Sequence, residues 1–138
     1  MTAIGIENSS AVLSSSARAL IREHVRSIEQ LDILLWLGAR SNEWHGLETI
    51  TEELGLSPSV TENAVAHLAR QQAVIVAPGN HPRVCYAPKS TTIIEAAAQL
   101  GQRYAQARVH ALMYISTCAI ERARLAHDAA VPAGFRRT

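Results

Sequence analysis

Apolar residues recur at three- and four-residue intervals in six stretches of this chain, and β-prone residues dominate only two short runs near its middle. From Ala11 onward, Val12, Leu13, Ala17, Leu20, Ile21 and Val25 keep helical spacing, while Arg18, Arg22 and Arg26 form a separate i, i+4 stripe. This is the pattern of an amphipathic helix. Ser27 followed by Gln30 fits a capping box, in which hydroxyl and amide satisfy backbone N–H groups that a helix start leaves unpaired. It opens IEQLDILLWLGAR, where Ile28, Leu31, Leu34 and Leu35, joined by Trp36 and Leu37, make so wide an apolar surface that the helix is expected at the centre of the fold.

The pattern breaks between Gly38 and Gly46, where Trp44 and its neighbours predict a minimal strand or a loop. A helix over Leu47–Leu54 then buries Leu47, Ile50 and Leu54 and turns Glu48, Glu52 and Glu53 outward. Gly55 sits where a helix end wants a residue with positive φ. Ser57 can serve as the next N-cap, and Pro58 fits the first helical position, where its missing N–H costs nothing. In SPSVTENAVAHLARQQ the spacing predicts Val60, Ala64, Val65 and Leu68 as the inner face, with Ser59, Thr61, Glu62, Asn63, Ala66, His67 and Arg70 outside.

AVIVA and RVCYA, separated by the turn-former cluster PGNHP, read as a β-hairpin. A long helix is predicted from Thr91 or Thr92. In it Ile93, Ala97, Leu100, Tyr104, Ala107, Ala111 and Tyr114 step by fours and threes, as a helix-pairing seam does, and are expected to meet a second copy. A further helix from about Cys118 to Ala130 ends before Pro132. The organisation expected is a flexible N-terminus over 1–10, N-terminal helices and a hairpin-bearing domain over 11–90, a helical region over 91–131 and a flexible tail over 132–138.

Composition agrees with packed helices: 48% of the 138 residues are hydrophobic but only 4% aromatic, so Leu, Ile, Val and Ala must build one core. No segment approaches the ~20 apolar residues that span a bilayer, and the N-terminus lacks the pattern of a secretory signal, so a soluble cytoplasmic protein is expected. Cys85 and Cys118 match no CxxC spacing, and the six histidines form no HxxxH or HExxH, so no metal or cofactor is assigned. Catalysis is not expected either. No GxSxG elbow surrounds Ser14–Ser16, Cys118 and His110 lack a recognisable context, and the neighbouring Glu52 and Glu53 point in different directions from one helix. Trp36 and Trp44 read as core residues rather than stacking platforms for single-stranded nucleic acid.

The segment from Leu31 to about Pro88 resembles the winged-helix domain of MarR-like bacterial transcriptional regulators. ITEELGLSPSVTENAVAHLARQQAVI matches its paired helices and leading wing strand, and RVCYA the returning strand. The resemblance implies a mainly α fold, with a winged helix-turn-helix domain, flanking N- and C-terminal dimerisation helices and a short wing of two or three strands. It implies a homodimer that binds double-stranded DNA, with the recognition helix in the major groove. By position Ser59, Thr61, Asn63 and His67 would face bases or phosphates, and Glu62 could accept from cytosine. Those residues fit an ordinary solvated helix face equally well. Arg70, Asn80, His81 and Arg83 are candidate phosphate contacts; Arg83 at the wing has little else to pack against, whereas an idle turn residue is the simpler reading of His81.

Charge departs from the family pattern. Residues 41–90 carry five acids against three bases, while residues 91–138 carry six arginines against three acids. Phosphate neutralisation supplies most non-specific DNA affinity, so an acidic reader domain opens a second reading, a winged-helix module that docks a protein partner instead. A third is small-molecule sensing in a cavity between the wing domain and the dimer helices. Convergence of Arg18, Arg22, Arg26, Arg103 and Arg108 on the recognition face would restore the first.

Overall fold

The computed structural model describes residues 13–130; the expected loose ends over 1–10 and 132–138, and the helix start at Ala11, lie outside them. In chain order the elements are α1 (Ser15–His24), α2 (Ile28–Gly38), β1 (Trp44–Gly46), α3 (Leu47–Leu54), α4 (Pro58–Arg70), β2 (Val74–Ala77), β3 (Arg83–Tyr86), α5 (Thr91–Gly101) and α6 (Tyr104–Ala130). The fold is mainly helical, with one small sheet of strand order β1-β3-β2, antiparallel throughout. Among the described residues no helix is long and apolar enough to cross a membrane.

α2 lies at the centre, as its wide apolar surface requires: Leu31, Ile33, Leu34, Leu35 and Leu37 are all buried. Ser27 caps it by accepting from the Gln30 N–H at 3.2 Å, and the Gln30 side chain reaches back to the N–H of Arg26 at 2.7 Å, one residue earlier than in the usual box. Around α2 pack α3, α4 and β3, and also α5 and α6. One continuous core joins them.

Four expectations change here. The seam over Ile93, Ala97, Leu100, Ala107 and Ala111 is buried inside the single chain, because α1 and α2 of the same chain cover it, so it is not a free surface for a second copy. Its two tyrosines are likewise engaged at home: Tyr104 donates to Asp32 of α2 at 2.5 Å, and Tyr114 accepts from Arg22 of α1 at 3.3 Å. The break in the C-terminal helices falls at Gln102–Arg103, just after Gly101, rather than near Cys118, and Ser90 rather than a threonine caps α5. Trp44 is not core but 46% exposed.

Candidate nucleic-acid interface

The corner between α3 and α4 is built by local chemistry. Gly55 ends α3 with φ +65°, a left-handed conformation that a Cβ would strain, and the Leu56 N–H turns back to the Thr51 carbonyl at 3.0 Å. Ser57 accepts from the Val60 N–H at 3.2 Å, with Pro58 in the first turn of α4. Two threonines then lock the helices together. Thr61 is fully buried; its hydroxyl donates to the Ser57 carbonyl at 3.1 Å and accepts from the Thr51 hydroxyl at 2.9 Å. The expected order of faces is thus reversed at this turn: Thr61 points inward and Val60 is exposed. The hydroxyl finds partners in the corner that an aliphatic side chain could not supply.

Along α4 the exposed edge consists of Ser59, Val60, Glu62, Asn63, Ala66 and Arg70. His67, expected on that edge, is half-buried and turned to the body: its Nε2 donates to the His24 carbonyl at 2.9 Å, while His24 Nδ1 meets Gln71 Oε1 at 2.7 Å. These bonds tie the end of α1 to the end of the recognition helix. Burial lowers the His67 pKa below its ordinary value, opposed by the carbonyl bond and reinforced by the nearby charges of Arg26 and Arg70. Burial therefore favours the neutral ring, and Arg26 joins Arg70 beside this end of α4. Sequence spacing alone could not reveal that neighbour, which comes from the loop between α1 and α2.

The wing is the β2–β3 hairpin with Asn80 and His81 exposed in its turn. β1 adds a third strand, pairing Trp44 with Cys85, and the Leu47 N–H bonds to the Pro82 carbonyl at 3.2 Å, fastening the wing to the start of α3. Arg83 has more to pack against than its sequence context suggests: its guanidinium lies 5.8 Å from the centre of the Trp44 ring. A second such pair, missed in the sequence, sets Arg40 4.1 Å over Trp36, with His45 edge-on to the same ring.

Two of the other arginines are held by partners in the body. Arg18 bonds the Leu13 carbonyl at 2.8 Å. Arg108 grips Asp32 through two bonds of 2.7 and 3.0 Å. Those bonds hold the Arg108 pKa above its ordinary value, and burial followed by the Asp32 contact raises that of Tyr104. Tyr104, Asp32 and Arg108 form part of the wall of a cavity of about 670 Å³, whose lining also includes Trp36, Leu54, Tyr86 and Ile94, between the wing domain and α5–α6. Its charges are already paired with each other. Among the described residues no three His, Cys, Asp or Glu side chains gather as metal ligands.

No family model matches the chain, and no curated protein matches it. Solved structures do. Reduced HlyU from Vibrio cholerae shares 20% identity and a TM-score of 0.51, over 75% of this chain and 99% of that one. MepR, a transcription regulator of the Staphylococcus aureus multidrug efflux pump MepA, shares 13% identity and a TM-score of 0.51, over 93% and 97%. The transcriptional regulator Tm0710 from Thermotoga maritima shares 15% identity and a TM-score of 0.50, over 98% and 96%. With the corner, the wing and the flanking helices in place, the chain has the winged helix-turn-helix fold of such regulators, in keeping with its resemblance to the MarR-like family.

Proposed function

We propose that this chain is a DNA-binding transcriptional regulator of the bacterial cytoplasm, acting as a homodimer and not as an enzyme. The observation that carries the reading is the outward edge of α4. Glu62 and Asn63 are exposed there without a hydrogen-bond partner, on a helix whose start is rigidly capped and whose neighbour is a three-stranded wing. A helix so presented fits the major groove, where Asn63 could bind adenine through both its amide groups and Val60 could touch a thymine methyl. Arg26, Arg70 and Arg83 are the cations available to phosphates beside it, and Ser59, Asn80 and His81 the polar contacts. Thr61 and His67 serve instead to hold α4 in place.

Two such helices in a dimer would read half-sites about 34 Å apart. Titrating the protein against genomic DNA fragments over a salt series tests the reading. Affinity should fall steeply with salt, and replacing Arg70 and Arg83 by Ala should each lower the slope by about 1. Binding no tighter than that of a neutral control protein at low salt refutes it.

A second reading, docking of a protein partner, draws on the exposed Glu48, Glu52 and Glu53 of α3, a face that repels phosphate. Under it the Arg70 and Arg83 substitutions leave capture of that partner intact.

A further inference from the structure

Arg83 opens β3 at a place where the sheet sets almost nothing opposite it. Its ladder partner on β2 is Ala77 and on β1 is Gly46, a methyl group on one side and no side chain on the other. The larger side chains on that face are Trp44 of β1 and Ile75 of β2, both opposite Cys85, two positions along β3. Residues two apart in a strand share a face, so each is a diagonal neighbour of Arg83, within reach of a long side chain. The guanidinium goes to the aromatic one and lies 5.8 Å from the centre of the Trp44 ring. β1 is itself fastened. His45, on its other face, stands edge-on to Trp36, and the Leu47 N–H that follows the strand bonds to the Pro82 carbonyl.

Several other arginines are spent on the protein itself. Arg18 donates to the Leu13 carbonyl, Arg22 to the Tyr114 hydroxyl and Arg108 to both oxygens of Asp32. Arg40 also lies over a ring, that of Trp36, but donates to the Trp36 carbonyl at 3.0 Å. Each such bond consumes a donor, and a carboxylate also cancels the charge. Among the described residues Arg83 has neither an ion pair nor a side-chain hydrogen bond, only the ring. An aromatic face attracts a cation through its quadrupole and leaves the charge uncancelled and the five N–H donors unspent.

We infer that Trp44 is a positioning residue of the wing: its ring restrains the Arg83 guanidinium, charge and donors intact, for a phosphate of the DNA backbone. Trp44 acts through Arg83 and not by touching DNA itself. This role rests on the DNA-binding function proposed above and deepens it. A free arginine side chain carries rotamer entropy that binding must remove, and one restrained beforehand loses less. The same role accounts for a tryptophan left exposed on a strand of three residues.

Measurements on the free protein and in DNA titration together test this. In the free protein the indole ring current should shift the Arg83 side-chain protons upfield in NMR spectra. Trp44→Leu, which keeps apolar bulk at an exposed site, should abolish that shift and leave the circular dichroism unchanged. In DNA titration Trp44→Leu should lower affinity by about two- to fivefold, the worth of an exposed cation–π contact. Its salt slope should stay that of the wild type, because the Arg83 charge remains, whereas Arg83→Ala lowers the slope. Trp44→Phe, which keeps an aromatic face, should recover most of the affinity. In an Arg83→Ala background Trp44→Leu should have no further effect.

A loss that persists in the Arg83→Ala background overturns the inference, as does an unshifted Arg83 in the free wild type. DNA binding indifferent to Trp44→Leu overturns it and leaves the proposed function standing. A shifted Arg83 in a protein that binds no DNA overturns that function and this role with it, while the contact between ring and guanidinium stands.

Discussion

Helices α4 and α6 each press one face into the same core and leave the other bare, and the two bare faces differ in chemistry. That of α4 is mostly small or polar, with Ser59, Glu62, Asn63 and Arg70; that of α6 is aliphatic from Val109 to Ile120. Polar groups lose little by staying in water and gain a partner only where hydrogen-bonding edges come to them. Large aliphatic side chains in a line lose roughly 25 cal/mol for each Å² left wet. The contrast is one of chemistry: α4 offers hydrogen-bonding groups to the solvent and α6 an aliphatic surface.

The comparison breaks first if the inner and outer faces of α4 prove equivalent. Leu68→Ala, at a fully buried site, should cost about 3 kcal/mol in urea unfolding, whereas Asn63→Ala should stay within about 0.5 kcal/mol and show itself only in DNA affinity. A smaller effect concerns what fastens α6. Arg108→Ala removes both bonds to a half-buried Asp32 and should cost about 1–2 kcal/mol, discounted because the arginine is half exposed, with Tyr104 left as the carboxylate's partner. Gly55→Ala should cost about 1 kcal/mol through its positive φ alone, since nothing stands within 4 Å of the added methyl group.

The smallest effect is a pH dependence. His67 binds its proton less readily in the folded chain than in the unfolded one, so its contribution is intact above the ordinary value of 6.5 and is lost as pH falls below it. Thermal melting from pH 7.5 to 5.5 should show a loss of stability that is reduced in His67→Gln. Equal slopes in both proteins would assign the loss to other groups.

Much of the fold was legible because it is written locally. Ser27 with Gln30, Gly55, Ser57 with Pro58, and the turn formers from 78 to 82 each act on residues within a few positions, and the elements fall where those signals put them. What was not legible depends on partners distant in sequence. Helical period showed that Ile93, Ala97 and Ala111 are covered, but period is silent on whether the cover is α1 or another molecule. Thr61 turned inward because Thr51 waits ten residues away across the corner, and His67 because the carbonyl of His24 lies open beside it. The candidate site was legible to the same degree: its helix and wing could be located, but which side chains are spare could not. Arg26, in the loop between α1 and α2 and beside His67, entered it only through packing.

The clasp of Tyr104 and Arg108 on Asp32 holds α6 by its first turns, and beyond Arg122 its described side chains are all exposed. The inner side of α6 stays in the core as far as Cys118, so residues 119–130 overhang by about 18 Å and work as a lever. A tilt of about 10° where the helix leaves the core would swing the far tip by roughly 3 Å. Whatever adjusts the Asp32 anchorage is thereby amplified at the overhanging end.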